Sequence, residues 1–205
     1  MTLQSHIHRL VEGTDGTRPP LVLLHGSAGS EADLLPLAAE VAPGATRLAI
    51  RGAVPFDEGS AFFRRFEDRT VDEVDIRERC VVLADFIAAA AVEFRFDKAP
   101  IALGFSNGAI MAAALLLLRP GLLSGAVLLR PLSPFSHDQP IRLDGTPVVI
   151  IDGAKDRRRS TGDGERLAIR LTGAGAGVSH HVLPVGHAIT ALDADVVRDW
   201  LAWVS

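Results

Sequence analysis

A serine flanked by two glycines is the feature of this sequence that most clearly could do chemistry. Residues 104–108 are Gly-Phe-Ser-Asn-Gly and fit the pattern G-x-S-x-G. The pattern follows a predicted strand and precedes a predicted helix, which is the context in which it forms a nucleophile turn. Small residues at its two ends let the backbone turn sharply and lift the serine hydroxyl above a sheet. We predict that Ser106 is a nucleophile; the alternative is a serine that only caps the helix.

An active serine needs a base, and His187 is the best candidate. A serine hydroxyl is a weak nucleophile until a positioned imidazole takes its proton. His187 follows the last predicted strand in the sequence Pro-Val-Gly-His, which puts it at the same sheet edge as Ser106. His180 and His181 lie within that strand, and His137 lies in a proline-flanked loop too soon after the serine. A structural histidine is the alternative for His187.

Two aspartates could orient the imidazole. Asp152 directly follows the predicted strand 147–151, and Asp156 lies four residues further along. A side chain out in the loop can reach a histidine more readily than one at the strand end, so Asp156 is favoured over Asp152, with Asp163 third. The acid in such a site fixes the imidazole tautomer and stabilises the imidazolium without becoming protonated.

The oxyanion of a tetrahedral intermediate needs two backbone N–H donors. One comes from the residue after the nucleophile and the other from the loop after an earlier strand. These rules nominate the backbones of Asn107 and Ser27. Gly26 is expected to permit a tight turn before Ser27, and His25 to form a hydrogen bond within that loop.

The elements that must position these residues alternate between strands and helices. This alternation predicts an α/β fold with a mostly parallel, doubly wound sheet flanked by helices. Sites in such sheets form in loops at the carboxyl ends of the strands. Residues 51–70 show no regular pattern, and a capping-box-like Ser30 with Asp33 is expected to start the first helix. Strands are predicted at 5–11, 20–26, 46–50, 100–104, 125–129, 147–151 and 178–183, and helices at 30–41, 72–93, 107–118, 164–172 and 193–204.

Length and composition predict one domain over residues 1–205. A chain of 205 residues that is 48% hydrophobic can bury one full core. The formal net charge is −4 and the basic residues are scattered, so we do not expect a nucleic-acid partner. The longest apolar run, residues 109–118, is about half of the roughly 20 residues that a spanning helix needs. It is predicted to be a buried helix, and stable membrane insertion is not expected.

A single cysteine predicts a reducing compartment. Cys80 cannot form an intramolecular disulfide and falls within a predicted helix, where it is expected to be a buried thiol. The polar N-terminal residues lack the apolar stretch of a signal peptide, so a cytoplasmic protein is expected.

No metal or cofactor is expected. His6 and His8 share a face of the first predicted strand, but no third ligand lies near them in sequence, so an exposed strand face is predicted. The glycine-rich run 173–177 follows a helix and precedes a strand, the reverse of the order that a dinucleotide site needs. Arginines 157–159 are predicted to form a solvated loop, with steering of an anionic substrate as the alternative.

Four motifs together resemble the carboxylesterase/phospholipase family of α/β-hydrolases, which includes the acyl-protein thioesterases. The resemblance covers nearly the whole chain, and bacterial members are the most similar. The sequence departs from the family pattern in two segments, residues 51–70 and the arginine run 157–159. In the family, an apolar or proline-bearing turn is commoner after the acid. The motifs are Leu-His-Gly-Ser at 24–27, the serine turn at 104–108, Gly-Ala-Lys-Asp at 153–156 and Gly-His at 186–187; Arg-Gly at 51–52, Phe-Phe-Arg-Arg at 62–65, Ser-Asn-Gly-Ala at 106–109 and Leu-Leu-Arg-Pro at 128–131 indicate the bacterial branch.

The resemblance implies a small, single-domain α/β-hydrolase without a large lid. It implies that Ser106, Asp156 and His187 form a triad and that the backbones of Ser27 and Asn107 form the oxyanion hole. The implied reaction is hydrolysis of a carboxylic ester or thioester through an acyl-enzyme. A lysophospholipase or acyl-protein thioesterase that acts on long acyl chains is the alternative, and a non-catalytic ligand-binding protein is a third hypothesis.

Four aromatic side chains are candidates for an apolar substrate pocket. They are Phe62, Phe63, Phe66 and Phe105, and ordinary core packing is the alternative for each. The expected partner is a small-molecule ester or thioester, and a homodimer is compatible with the sequence.

Overall fold

A seven-stranded sheet forms the centre of the computed structural model, which describes residues 3–68, 70–137 and 141–204. The sheet order is β1-β3-β2-β6-β7-β8-β9, in which only β1 is antiparallel to its neighbour. The strands are β1 (His8–Val11), β2 (Leu21–Leu24), β3 (Arg47–Ile50), β4 (Val54–Phe56), β5 (Gly59–Ala61), β6 (Ile101–Phe105), β7 (Gly125–Leu129), β8 (Pro147–Gly153) and β9 (Gly177–Leu183). The helices are α1 (Leu35–Val41), α2 (Glu73–Glu93), α3 (Asn107–Leu118), α4 (Asp163–Gly173) and α5 (Ala191–Val204).

Helices cover both faces of the sheet, which explains why its middle strands are continuously apolar. The strands β2, β6 and β7 are LVLL, IALGF and GAVLL, and all of these residues except Phe105 are buried. A parallel strand that is covered on both faces needs this composition. Apolar side chains of α2, α3 and α4 form the core on one face, and those of α1 and α5 form the core on the other.

The helix α3 is apolar on all sides and lies within the larger of these cores. Its residues 109–116 are at most 2% exposed, as expected for the predicted buried helix. No helix in the described ranges combines the length and the apolar character that crossing a membrane requires.

The N-terminal strand is shorter than predicted, and its histidines are not on an exposed face. β1 begins at His8, and Leu3–Ser5 form a short 3-10 helix. The rings of His6 and His8 are half-buried, with their centroids 5.1 and 5.2 Å from that of Phe86 on α2. The prediction of an exposed strand face is therefore wrong, because α2 packs across it.

The first helix also starts later than predicted. It begins at Leu35, and the Ser30 hydroxyl does not cap it. Ser30 Oγ instead donates to Asp33 Oδ1 at 2.8 Å and accepts from the Ala32 N–H, which closes a turn before the helix. The local Ser-Asp pair thus stabilises a turn, an alternative that serine side chains commonly offer the backbone.

Residues 51–70 contain a hairpin, although the sequence showed no pattern there. β4 and β5 pair in an antiparallel ribbon, and the Ser60 N–H donates to Gly29 O at 3.0 Å. The hairpin therefore packs on the loop that follows β2. Its strands are only three residues long, which explains why a strand period is not visible in the sequence.

Candidate active site

Ser106 occupies a strained turn between β6 and α3. Its backbone has φ 53° and ψ −107°, a left-handed conformation that is costly for a residue with a side chain. The Ser106 N–H donates to Leu129 O at 2.8 Å, and Ser106 O accepts from the Ile110 N–H at 3.1 Å. These bonds to β7 and α3 hold the turn, and they leave the hydroxyl at the carboxyl edge of the sheet.

The two glycines around Ser106 are required by close backbone contacts. A Cβ atom at Gly104 would lie 2.7 Å from Gly108 O, and one at Gly108 would lie 2.0 Å from Leu24 O. Side-chain carbons do not approach backbone oxygens so closely. The turn can therefore form only with glycine at both positions, and this explains why the sequence pattern has a glycine at each end.

Ser106, His187 and Asp156 lie in one hydrogen-bonded chain. His187 Nε2 is 3.1 Å from Ser106 Oγ, and His187 Nδ1 is 2.7 Å from Asp156 Oδ2. A carboxylate can only accept, so Nδ1–H donates to Asp156 and Nε2 is left to accept from the serine hydroxyl. The three residues follow β6, β8 and β9, whose carboxyl ends share one edge of the sheet.

Although Asp156 is buried, its surroundings favour the ionised form of its side chain. Burial raises its pKa, but hydrogen bonds from His187 and from the Arg158 N–H, together with nearby positive charges, outweigh burial and bring the pKa below the usual 3.8. The side chain is only 2% exposed. Asp156 can therefore keep its negative charge beside the imidazole at neutral pH.

The imidazole of His187 is kept neutral. Burial lowers its pKa below 6.5, and the charges of Arg159 and Arg158 lower it further, against the opposing effect of Asp156. A neutral imidazole at physiological pH has a free lone pair on Nε2. It can therefore accept a proton from Ser106.

Asp152 and Asp163, the other candidate acids, have different partners. β8 runs two residues further than predicted, so Asp152 is part of the strand, and its Oδ2 lies 2.8 Å from Nε2 of His180 on β9. Burial raises the pKa of Asp152 despite this contact. Asp163 begins α4, accepts from the Ser160 N–H and pairs with Arg166. Neither of these aspartates is bonded to His187.

The residues of the predicted oxyanion donors follow strands that end at the same sheet edge. Ser27 lies in the loop after β2, and Asn107 is the first residue of α3. In the part of the chain that the structure describes, neither backbone N–H has a hydrogen-bond acceptor. The Asn107 side chain is buried and accepts from the Phe62 N–H at 2.7 Å, which ties residues 62–63 to the start of α3.

His25 holds the loop that carries Ser27. Its Nδ1–H donates to Gly26 O at 2.6 Å, as the sequence predicted, and its Nε2 accepts from the Gly52 N–H at 2.9 Å. Burial lowers the pKa of His25, which agrees with a neutral ring that donates at one nitrogen and accepts at the other. The loop after β2 is thereby fixed to the segment after β3.

A buried ion pair that the sequence reasoning missed supports the His187 loop. Arg130 and Asp193 are both 0% exposed and form a bidentate pair at 2.7 and 2.9 Å. Arg130 also donates to Gly186 O at 3.0 Å and to Ala188 O at 3.3 Å, on both sides of His187. The available signal was an arginine that ends a wholly apolar strand, because a buried charge there requires a buried partner.

We expect Asp193→Asn to lower the free energy of unfolding by about 3–5 kcal/mol, because it leaves the buried Arg130 guanidinium without its counter-ion. Urea unfolding measures the change. The matched control is Asp195→Asn, two residues away, whose side chain is 65% exposed and pairs with Arg198; its expected effect is below about 1 kcal/mol. Equal, small effects of both variants would contradict this role of the pair.

Arg159 is not the solvated side chain that was predicted for residues 157–159. Its Nη2 donates to Ser106 Oγ at 3.0 Å and its Nε to Arg130 O at 2.7 Å. Burial and the charge of Arg65 lower its pKa to about 10. Arg157 and Arg158 are exposed, as predicted. The fold turns only the third arginine inward, which the sequence run could not show.

A cavity of about 950 Å³ lies beside Arg159, between the α4 region and the segment that leads to α2. Its apolar lining comes from Val71, Leu132, Phe135 and Ile169, and it also contains several charged side chains. Among the described residues, no group of three or more His, Cys, Asp or Glu side chains is placed to hold a metal ion.

The four candidate pocket phenylalanines are not part of this lining. Phe62 and Phe63 are 2% and 1% exposed and belong to the core, where their backbones contact Asn107. Phe66 is 56% exposed. The ring of Phe105 is half-buried, 5.2 Å from that of His187. For Phe62 and Phe63 the alternative of ordinary core packing is therefore the better description.

The chain is similar to bacterial hydrolases over almost its full length. It is 36% identical to the Bacillus subtilis protein named "Putative hydrolase MhqD" over 181 residues, which are 88% of this chain and 90% of that protein. The Bacillus cereus carboxylesterase has a TM-score of 0.95 and 36% identity, covering 98% of this chain and 96% of that chain. The Mesorhizobium loti carboxylesterase has a TM-score of 0.92 and 34% identity, covering 98% and 97%. No protein-family model matches the chain.

The parallel sheet, the strained serine turn and the likeness to these structures define an α/β-hydrolase, so the predicted fold is confirmed. The chain belongs to the carboxylesterase family of α/β-hydrolases, as its motifs predicted, and it is an enzyme of the hydrolase class.

Proposed function

We propose that the protein is a serine esterase that hydrolyses carboxylic esters through an acyl-enzyme. The observation that carries this proposal is the hydrogen-bonded chain from Ser106 through a neutral His187 to the Asp156 carboxylate. This arrangement supplies a nucleophile, a base and an orienting acid in contact with one another. The family relationship to carboxylesterases supports the same chemistry.

The first half of the reaction acylates Ser106. His187 Nε2 takes the hydroxyl proton while Oγ forms a bond to the ester carbonyl carbon. The carbonyl oxygen becomes negative and accepts hydrogen bonds from the backbone N–H groups of Ser27 and Asn107. Asp156 remains a carboxylate and stabilises the imidazolium. The bond to the leaving alcohol oxygen then breaks, and His187 gives its proton to that oxygen.

The second half returns the enzyme to its starting state. A water molecule attacks the acyl carbon while His187 takes one of its protons, and the oxyanion again faces the two N–H groups. The bond between Ser106 Oγ and the acyl carbon breaks, and the proton returns from His187 to Oγ. The products are the carboxylic acid and the alcohol, and the proposed steps use no cofactor.

The site favours a small ester over a long acyl chain. The cavity beside Arg159 has apolar side chains interspersed with arginines and carboxylates, which suits a short polar substrate better than a lysophospholipid or a fatty acyl thioester. A non-catalytic binding protein would have no need of a strained serine turn and a matched acid and base.

The buried free thiol of Cys80 supports the expectation of a reducing, cytoplasmic environment.

We expect a fluorophosphonate probe to label Ser106, because phosphonylation requires an activated serine. Mass spectrometry of the labelled peptide identifies the site. The labelling rate should be highest above the pKa of His187, where the base is neutral, and should fall as the pH drops through that pKa. Since burial lowers the pKa, the midpoint should lie below 6.5.

A pair of histidine variants provides the control for this experiment. His187→Gln should abolish labelling, whereas His180→Gln, which removes the partner of Asp152, should leave the labelling largely unchanged. Labelling of another residue, or labelling that persists in a folded His187→Gln variant, would contradict the proposed function.

A further inference from the structure

Arg159 brings a positive charge into contact with the proposed nucleophile. Its Nη2 donates to Ser106 Oγ at 3.0 Å, on the same oxygen that lies 3.1 Å from His187 Nε2. The proposed acylation step uses the His187 contact and has no role for the arginine. A guanidinium in this position will lie within reach of any acyl group that becomes attached to Oγ.

The guanidinium of Arg159 forms no direct ion pair in the described part of the chain, although the charges of Asp156, Asp163 and Asp152 act on it from a distance. Its acceptors are Ser106 Oγ, Arg130 O at 2.7 Å and Arg158 O at 3.2 Å, all of which are neutral. Burial without a paired carboxylate is unfavourable for the charged form, and the pKa of Arg159 is lowered to about 10. An anionic group bound beside it would relieve this cost and would form a charge-assisted hydrogen bond.

The adjoining cavity has the same positive character. Among the described residues, six arginines and three carboxylates line it, and one of each, Arg166 and Asp163, form an ion pair. The described lining therefore carries more positive than negative charge, although the chain as a whole has a net charge of −4. A cleft lined by one sign of charge concentrates ligands of the opposite sign. The arginines are Arg65, Arg157, Arg158, Arg159, Arg166 and Arg170.

We propose that Arg159 binds a carboxylate on the acyl part of the substrate, so that the enzyme selects half-esters of short dicarboxylic acids. This inference rests on the proposed esterase function. The leaving oxygen must lie at His187 Nε2 to receive its proton. Arg159 contacts Oγ through a different donor, so in this proposal it faces the acyl group, which stays bonded to Oγ in the acyl-enzyme. The 3.0 Å contact with Oγ requires a short chain between the carbonyl carbon and the carboxylate.

Such a substrate reacts through the same steps as in the proposed mechanism. Ser106 Oγ bonds to the ester carbonyl, the alcohol leaves with the proton from His187, and water releases the second carboxyl group. The free carboxylate of the substrate takes no part in bond making. It stays against Arg159 through both halves of the reaction, so it contributes to the binding of each transition state.

Two esters of equal chain length test the inference directly. Monoethyl succinate and ethyl butanoate share a four-carbon acyl group and an ethanol leaving group, and they differ in a terminal carboxylate or methyl. Release of ethanol measures kcat/KM for both. We expect the purified wild-type protein to prefer monoethyl succinate by about 10- to 100-fold, as a charge-assisted hydrogen bond predicts.

Three variants separate substrate binding from a merely structural effect of the arginine. Arg159→Gln should remove the preference, and Arg159→Lys should retain part of it, because lysine keeps the charge but not the planar fork. Arg9→Gln is the matched control, since it removes one exposed positive charge from β1 at the far edge of the sheet, and it should leave the preference unchanged.

The outcomes distinguish this inference from the proposed function. Hydrolysis of ethyl butanoate at a rate equal to or above that of monoethyl succinate would overturn the inference and leave the esterase proposal intact. An equal loss of both activities in Arg159→Gln would also overturn it and would make Arg159 a positioning residue for Ser106. Hydrolysis of neither ester, together with no fluorophosphonate labelling, would overturn both.

Discussion

Ser106→Ala should lower kcat for ester hydrolysis by on the order of 10⁵- to 10⁶-fold, because the variant has no atom that can form the acyl-enzyme. Binding of substrate in the cavity is unaffected by the change, so KM should vary little. The thermal midpoint should stay close to that of the wild type. The strained backbone is held by bonds to Leu129 and Ile110 that do not involve the hydroxyl.

The control for this experiment is the only cysteine of the chain. Cys80 is 0% exposed within α2, and burial raises the pKa of its thiol to about 12, so it is an unreactive thiol. Cys80→Ser should keep the wild-type rate constant, even if the added hydroxyl costs some stability. Near-normal hydrolysis by purified Ser106→Ala would show that another residue is the nucleophile.

Asp156→Asn should lower kcat by on the order of 10³- to 10⁴-fold with little change in KM. An asparagine amide can donate to His187 Nδ1, which would place the remaining ring proton on Nε2. The imidazole could then no longer accept the proton of Ser106. Asparagine has nearly the shape of aspartate, so the fold should be retained, and steady-state kinetics on ethyl butanoate with a thermal melt measure both effects.

Asp152→Asn is the matched variant, since it makes the same change four residues away, within β8. Asp152 contacts His180 and does not touch His187, so its effect on kcat should be less than about tenfold, with some loss of thermal stability. The opposite pattern, in which Asp152→Asn removes activity and Asp156→Asn retains it, would transfer the role of the acid to Asp152.

The sequence alone determined the order of the elements of the main sheet with its helices, and the edge of the sheet at which the chemistry should lie. The strongest local signals were the serine turn at residues 104–108 and the apolar strands before it, because close backbone contacts and burial on both faces allow few residue types there. His187 could be singled out for a similar reason. Its position just after a strand places it at that edge in any parallel sheet.

Choosing among neighbouring side chains required the tertiary structure. Asp152 directly follows the predicted strand and Asp156 comes four residues later, so the sequence favoured Asp156 but left Asp152 open. Only the extension of β8 beside β9 brings Asp152 to His180 and leaves Asp156 for His187. The same holds for Arg130 and Asp193, which are 63 residues apart and meet because two elements pack together.

The substrate side of the site depended on the tertiary structure most of all. Phe62 and Phe63 are aromatic residues of the kind that line apolar pockets, but they are buried in the core. Arg159 belongs to a charged run typical of a solvated loop, but it contacts Ser106. Burial of a side chain in a loop depends on which distant segments pack against it. Periodicity and composition describe neighbours along the chain, so they determined most of the strands and helices of this protein, and only packing decided which loop side chains surround Ser106.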